Sequence, residues 1–252
     1  MTSLDTTVVR GALLEETDRL AELYLEADPA TPIPTCPDWT LANLVAHVGG
    51  GHRWAAAMIA ERAATAMDFD RVPDIRRPRA VAEAAAWLRE GARVVIDAVD
   101  DVGPEVPVWT PFSRPRPSEW WVRRRLHEAT GHRADALLAL DREVDLDPAL
   151  AADGISELLG LIALGSPRFA PPLDAGDTLS LHAIDDADHW RIRKGDSVIE
   201  WDTDTASATA GVEATAADLF LVLLGRIPVE PPRVRVSGDA AVLSTWLART
   251  RF

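Results

Sequence analysis

The chain has 252 residues, 47% hydrophobic and 26% charged, enough for one large domain or two of ordinary size, each with its own core. Forty acidic residues against 26 basic ones leave a formal charge of −14, a field that repels phosphate backbones and anionic headgroups, so small molecules are the expected partners rather than nucleic acid or a membrane. The single Cys36 cannot make an internal disulfide, no N-terminal stretch has the make-up of a secretory signal, and no apolar run approaches the ~20 residues of a membrane span, which points to the cytoplasm.

In chain order, Val9, Leu13, Leu20 and Tyr24 recur at helical spacing and predict a first helix within Leu4–Asp28. Pro29, Pro32, Pro34 and Pro37 interrupt regular structure until Thr40, a side chain able to cap a second helix over Leu41–Ala66. Val81, Ala85, Leu88, Ala92, Val95 and Val99 mark a third helix over about Arg79–Val99. A stiff, proline-rich connection follows, then Ser118 as the expected cap of a fourth helix reaching about Asp141. Four helices with one long crossover suggest a four-helix bundle.

Beyond Asp147-Pro148 the pattern changes. A short helix around Ile155–Leu164 precedes a broken segment, Ser166–Asp177, and then period-two alternation at Leu179/Leu181/Ala183, Trp190/Ile192 and Ile199/Trp201 predicts antiparallel strands. The acidic run Asp185–Asp188 reads as a solvated hairpin loop, with His182 and His189 as surface residues. Thr215 and Asp218 open a helix over Leu219–Leu224, Arg233–Val236 is a last strand, and Asp239–Thr250 a last helix. The expected fold class is therefore α+β: a bundle over 1–147 and a smaller α+β domain with an antiparallel sheet over 148–252.

The fourth helix carries the chemical anomaly. Trp121, Arg125, Glu128, His132 and Asp135 advance in steps of four, three, four and three, which puts ionisable side chains where a bundle seam should be apolar. Glu128 and His132, at i and i+4, can reach one divalent ion, and the third ligand would come from His47 on the second helix. Such a pair is more often a solvated contact, so the spacing by itself leaves both readings open. His47 stands beside Gly49-Gly50-Gly51, and glycines inside a helix cost roughly 1 kcal/mol each against Ala, so a neighbouring helix or ligand is expected to approach closely there. His52 projects about 140° from His47 and is left out of the site. His127-Glu128-Ala129-Thr130-Gly131-His132 is not the helical zinc-protease motif, which needs its two His at i and i+4. Asp135 is expected to support His132 rather than bind the ion, and Cys36, with no base beside it in sequence, to be a small packed residue.

Thr35-Cys36-Pro37-Asp38-Trp39-Thr40 with Leu44-Val45-Ala46-His47 and His52-Arg53-Trp54 resembles the start of the mycothiol-dependent maleylpyruvate isomerase family of actinobacteria, whose bundle is similar to DinB. Arg124-Arg125-Leu126-His127-Glu128 with His132-Arg133 and Asp135 resembles its second signature. Leu223-Leu224-Gly225-Arg226-Ile227-Pro228 with Val236-Ser237-Gly238-Asp239 resembles its sterol-carrier-like C-terminal domain. The resemblance implies a divalent metal, usually zinc, held by His47, Glu128 and His132, mycothiol as cosubstrate, and a C-terminal Arg that binds the anionic substrate, Arg226 or alternatively Arg233. Ala134 and Gly131 depart from the family pattern. The resemblance thus implies thiolate addition to a small electrophile, giving cis–trans isomerisation or thiol transfer; a monomer or homodimer is expected. A hydrolase using zinc-bound water and a non-enzymatic lipid or small-molecule binder are the alternatives.

Overall fold

The computed structural model describes residues 4–111, 114–165, 171–196 and 198–250. One compact unit is Asp5–Val144, and a second begins at Asp145. The first is a bundle of α1 (Thr6–Glu26), α2 (Leu41–Ala60), α3 (Val81–Val102) and α4 (Glu119–Ala139). Helix α1 packs on α3 and α4, and α2 packs on the same two. Leu20, Tyr24, Leu44, Val48, Leu88 and Leu137 are buried between them.

Helix ends follow local chemistry. The Asp5 carboxylate accepts the Thr7 N–H at 2.8 Å, and Thr40 and Asn43 cap α2 reciprocally, each side chain taking the other's backbone N–H. Helix α2 stops at Ala60, six residues before the expected end, because Arg62 takes a left-handed φ of 46° and the Ala63 N–H turns back to the Met58 carbonyl. The expected cap at Ser118 is corrected: its backbone is already helical and its Oγ donates instead to the Gly103 carbonyl at 2.7 Å, closing the crossover loop. That loop also carries a two-stranded ribbon, β1 (Pro107–Val108) with β2 (Arg116–Pro117).

The second unit starts with α5 (Pro148–Ile162), capped by Asp147 and longer at its start than the apolar run suggests. Of the broken segment expected over 166–177, residues 166–170 lie outside the described residues. The strands β3 (Thr178–Ala183), β4 (His189–Lys194), β5 (Ile199–Asp202), β6 (Ala210–Ala214) and β7 (Arg235–Gly238) form one sheet in the order β5-β4-β3-β6-β7. All its pairings are antiparallel except β3 with β6, which run parallel. Strand β6 has no counterpart in the sequence reading, since Ala210-Gly211-Val212-Glu213-Ala214 is too small and too polar to read as a strand. Helices α6 (Ala216–Leu223) and α7 (Ala240–Arg249) pack on the sheet, and the Trp190 indole N–H donates to Ser156 Oγ at 2.9 Å, tying β4 to α5. His182 faces His189 across the β3–β4 pair and is half-exposed. Asp185 is not merely solvated, because its carboxylate accepts the Ala216 N–H at the start of α6. Among the described residues no helix is long and apolar enough to cross a membrane.

Close approach at the glycines positions the bundle. A Cβ on Gly49 would stand 2.2 Å from the Trp87 ring, which is pinned by its N–H bond to the Asp74 carbonyl and by the Arg53 guanidinium 4.3 Å from its centroid. Gly11, on the exposed side of α1, has nothing within 4 Å of such a Cβ. Gly49→Ala is therefore expected to lower the urea midpoint, as an overpacking cost of roughly 1–3 kcal/mol exceeds the helix-propensity gain. Gly11→Ala should raise it, through a gain in stability of about 0.5–1 kcal/mol. Equal shifts would show that the ring yields.

Candidate metal centre

The helix pair α2 and α4 carries the polar side chains of the seam. His47 Nε2 lies 3.4 Å from Glu128 Oε2, and His132 Nε2 lies 3.8 Å from the same oxygen. The two imidazole centroids are 4.9 Å apart and nearly perpendicular. One ligand atom from each of His47, Glu128 and His132 falls within 4.8 Å of the others. The structure therefore brings together the three residues singled out in the sequence. His47 is the most open of them, with 42% of its side chain exposed, so the cluster faces solvent on one side.

The surroundings orient the cluster and charge its carboxylate. Asp135, fully buried, lies 2.9 Å from His132 Nδ1, and because a carboxylate only accepts, the bond is one that Nδ1–H donates, which turns Nε2 toward Glu128. Asp135 is held in turn by Thr35 Oγ1 at 2.6 Å and by Cys36 Sγ at 3.6 Å. Burial would raise the Glu128 carboxyl, but Arg124, the hydrogen bond with His47, Arg125 and His132 outweigh it and hold the group well below the usual carboxylate range. Arg124 ion-pairs with Glu128 Oε1 from one turn away. Trp39, at the end of the proline-rich loop, lies against both imidazoles, with centroids 5.0 Å from His47 and 5.9 Å from His132.

One turn along the seam, Arg125 crosses from α4 to α2. Its Nε donates to His52 Nδ1 at 3.2 Å, its Nη2 donates to the Val48 carbonyl at 3.2 Å, and its Nη1 lies 3.8 Å from Glu128 Oε2. The guanidinium occupies the place of a side chain on Gly51, where a Cβ would be 2.6 Å from Nη2. His52 is fully buried and its other nitrogen meets Thr17 Oγ1 of α1 at 3.3 Å. Further on, Trp54 of α2 meets Trp121 of α4 edge to face.

Sequence reasoning did not foresee Cys36 at this centre. It treated the thiol as having no neighbouring base, whereas the fold puts it on Asp135, and Cys36, His132 and Asp135 form a second cluster sharing His132. No local signal carries that contact, since Cys36 and Asp135 are 99 positions apart. Trp39 and the Arg125–His52 bond are likewise long-range. In the second unit, Arg226 donates to the Leu224 carbonyl at 2.6 Å, a helix-end contact, and Arg233 pairs with Asp218 at 2.6 Å.

Burial first, then the charges of Arg125 and Arg53, hold the His52 imidazole well below its ordinary range. The folded protein therefore leaves this ring neutral where the unfolded chain would take a proton, below about pH 6.5. Stability from this source is complete above that pH and is lost as pH falls below it, by up to about 1.4 kcal/mol per pH unit for one proton. Urea unfolding at pH 7.5 and 5.5 should show a smaller acid loss in His52→Gln than in wild type. Parallel losses would mean that other groups carry the acid sensitivity.

Residues 10–137 match the family model described as the mycothiol maleylpyruvate isomerase N-terminal domain, and residues 149–245 match the MDMPI C-terminal domain. The crystal structure of the mycothiol-dependent maleylpyruvate isomerase is similar to this chain at 16% identity and a TM-score of 0.59. A histidine-to-alanine mutant of that enzyme is similar at 15% identity and a TM-score of 0.58. Each likeness covers 95% of this chain and 97% of the other, and at these identities it is a likeness of fold. No curated protein sequence matches the chain.

Proposed function

The chain belongs to the mycothiol maleylpyruvate isomerase family, and on that premise we propose that His47, Glu128 and His132 hold a divalent ion at which a low-molecular-weight thiol is used on a small electrophilic alkene. The observation that carries this reading is the approach of two imidazole nitrogens and one carboxylate oxygen, from two helices, to within 4.8 Å of one another. The donor set fits. Two neutral nitrogens and one oxygen suit zinc or a similar borderline ion, and three protein ligands with an exposed side leave room for a further one. When bound, the ion would supply a Lewis acid that lowers the thiol pKa from about 8.5, and the thiol a sulfur nucleophile whose reversible addition to a cis alkene permits rotation before elimination.

The chain's own residues prepare the site for this chemistry. Asp135 accepts from His132 Nδ1, which orients the ring so that the other nitrogen is the one offered to an ion. Arg124 and Arg125 keep Glu128 ionised without a proton to displace. The Trp39 ring covers one side of both imidazoles and excludes water there. The Cys36 thiol bonds to Asp135, so in this reading it supports the ligand and leaves the nucleophile to an added thiol. The substrate class is a small anionic cis alkene of the maleylpyruvate kind. Isomerisation is the favoured outcome, with thiol transfer where elimination fails.

Elemental analysis should find about one divalent ion per chain in wild type and little in His132→Ala. Asp135→Asn should retain an intermediate amount, since outer partners of metal ligands typically change affinity 10- to 100-fold. Equal metal in wild type and His132→Ala would remove His132 from the site. In turnover assays, omission of thiol should abolish activity, while Cys36→Ser keeps most of it. Full turnover without thiol would replace this reading with hydrolysis by metal-activated water.

A further inference from the structure

The seam contains a full positive charge whose role the metal ligands do not explain. Arg125 is 7% exposed, and its partners come from both helices that supply ligands. On α2 it bonds the carbonyl of Val48, the residue next to His47. On α4 it lies one turn before Glu128 and reaches Oε2 at 3.8 Å. A buried guanidinium is expensive to desolvate, so what each of its donors meets matters. Here its Nε goes to a neutral imidazole.

The neutrality is built in from every side. Arg125 Nε–H is a donor only, so His52 Nδ1 must accept, and the ring proton lies on Nε2, toward Thr17 Oγ1. The α3 backbone closes over the same ring, for a Cβ on Gly91 would be 3.4 Å from His52 Cδ2. The ring is thus gripped by α1, α3 and α4 in one tautomer. A carboxylate in its place would orient Arg125 equally well, but it would neutralise the guanidinium and offer a competing anion near the ion. A neutral acceptor orients the cation and leaves its charge for Glu128.

We propose that His52 and Arg125 are positioning residues. His52 locks the guanidinium, and the guanidinium sets the register of α2 against α4 so that His47 and Glu128 reach the same ion. Gly51 is part of the device, since any side chain there would fill the space of the guanidinium. The inference rests on the proposed metal centre, which fails separately if wild-type protein binds no ion.

The test uses Co²⁺ alone, with affinity from chelator competition and geometry from the visible ligand-field spectrum. Three single variants are compared with wild type, and circular dichroism and thermal melting report folding. His52→Leu keeps similar volume but removes the acceptor, and should weaken Co²⁺ binding by about 10- to 100-fold with an altered spectrum. Gly51→Ala leaves His52 intact and displaces Arg125, and should give the same loss. His52→Gln restores an acceptor and a donor, and should return the affinity to within a few-fold of wild type. A purely structural role would lower the melting temperature in His52→Leu while leaving affinity and spectrum unchanged, and that result would overturn the proposal. So would tight binding by Gly51→Ala, whether or not His52→Leu folds. Absence of Co²⁺ binding by wild type would instead remove the metal centre on which the proposal stands.

Discussion

A positive charge inside a helix bundle is the constraint on which the first unit depends. Bringing Arg125 out of water costs several kcal/mol unless its donors are met, and the bundle meets them with a backbone carbonyl, a neutral ring and a shared carboxylate. Each partner imposes a condition on the sequence. The carbonyl requires α2 to approach closely, hence Gly51. The ring must stay unprotonated, hence its burial among α1, α3 and α4. The carboxylate must stay ionised, hence the second guanidinium of Arg124 beside it. Other buried polar pairs spread the same solution through the bundle, such as Arg133 of α4 with Glu16 of α1 at 2.8 Å.

Local electrostatics at the seam run against the charge of the whole chain. A protein of net charge −14 presents an unfavourable field to an anionic substrate, but around Glu128 the nearest charges are cationic. Glu128 therefore stays ionised without becoming an isolated buried anion. The proline-rich loop adds the other half of the arrangement. Backbone hydrogen bonds from Ile33 to the Trp39 carbonyl and from Trp39 to the Cys36 carbonyl fold it into a tight turn. That turn delivers Thr35 and Cys36 to Asp135 and Trp39 to the imidazoles, so one short segment organises both the support and the cover of His132.

What could be read beforehand follows the range of the interactions. Helical spacing found α1 to α4, and the polar stripe on α4 with the adjacent glycines on α2 identified the face where chemistry gathers, because both signals lie within a few residues of each other. Glycines flagged close approach but not what approaches: Trp87 at Gly49 and Arg125 at Gly51 come from distant segments. Strand β6 was missed because its side chains are small and its register is set by β3 and β7 rather than by its own pattern. The Ser118 hydroxyl followed a tertiary contact, with Gly103, instead of its local rule. Cys36 reads as a small packed residue of the loop, since nothing near it in sequence indicates Asp135.

The central claim is that His47, Glu128 and His132 bind one ion and leave a position for an external sulfur. X-ray absorption fine structure of the zinc-loaded protein tests it directly. Without thiol, the first shell should hold nitrogen and oxygen scatterers at about 2.0–2.2 Å, with the multiple-scattering signature of two imidazoles. Addition of a low-molecular-weight thiol should introduce one sulfur at about 2.3 Å, in wild type and in Cys36→Ser alike. A sulfur present before thiol is added and lost in Cys36→Ser, or a shell with fewer than two imidazoles, would contradict it.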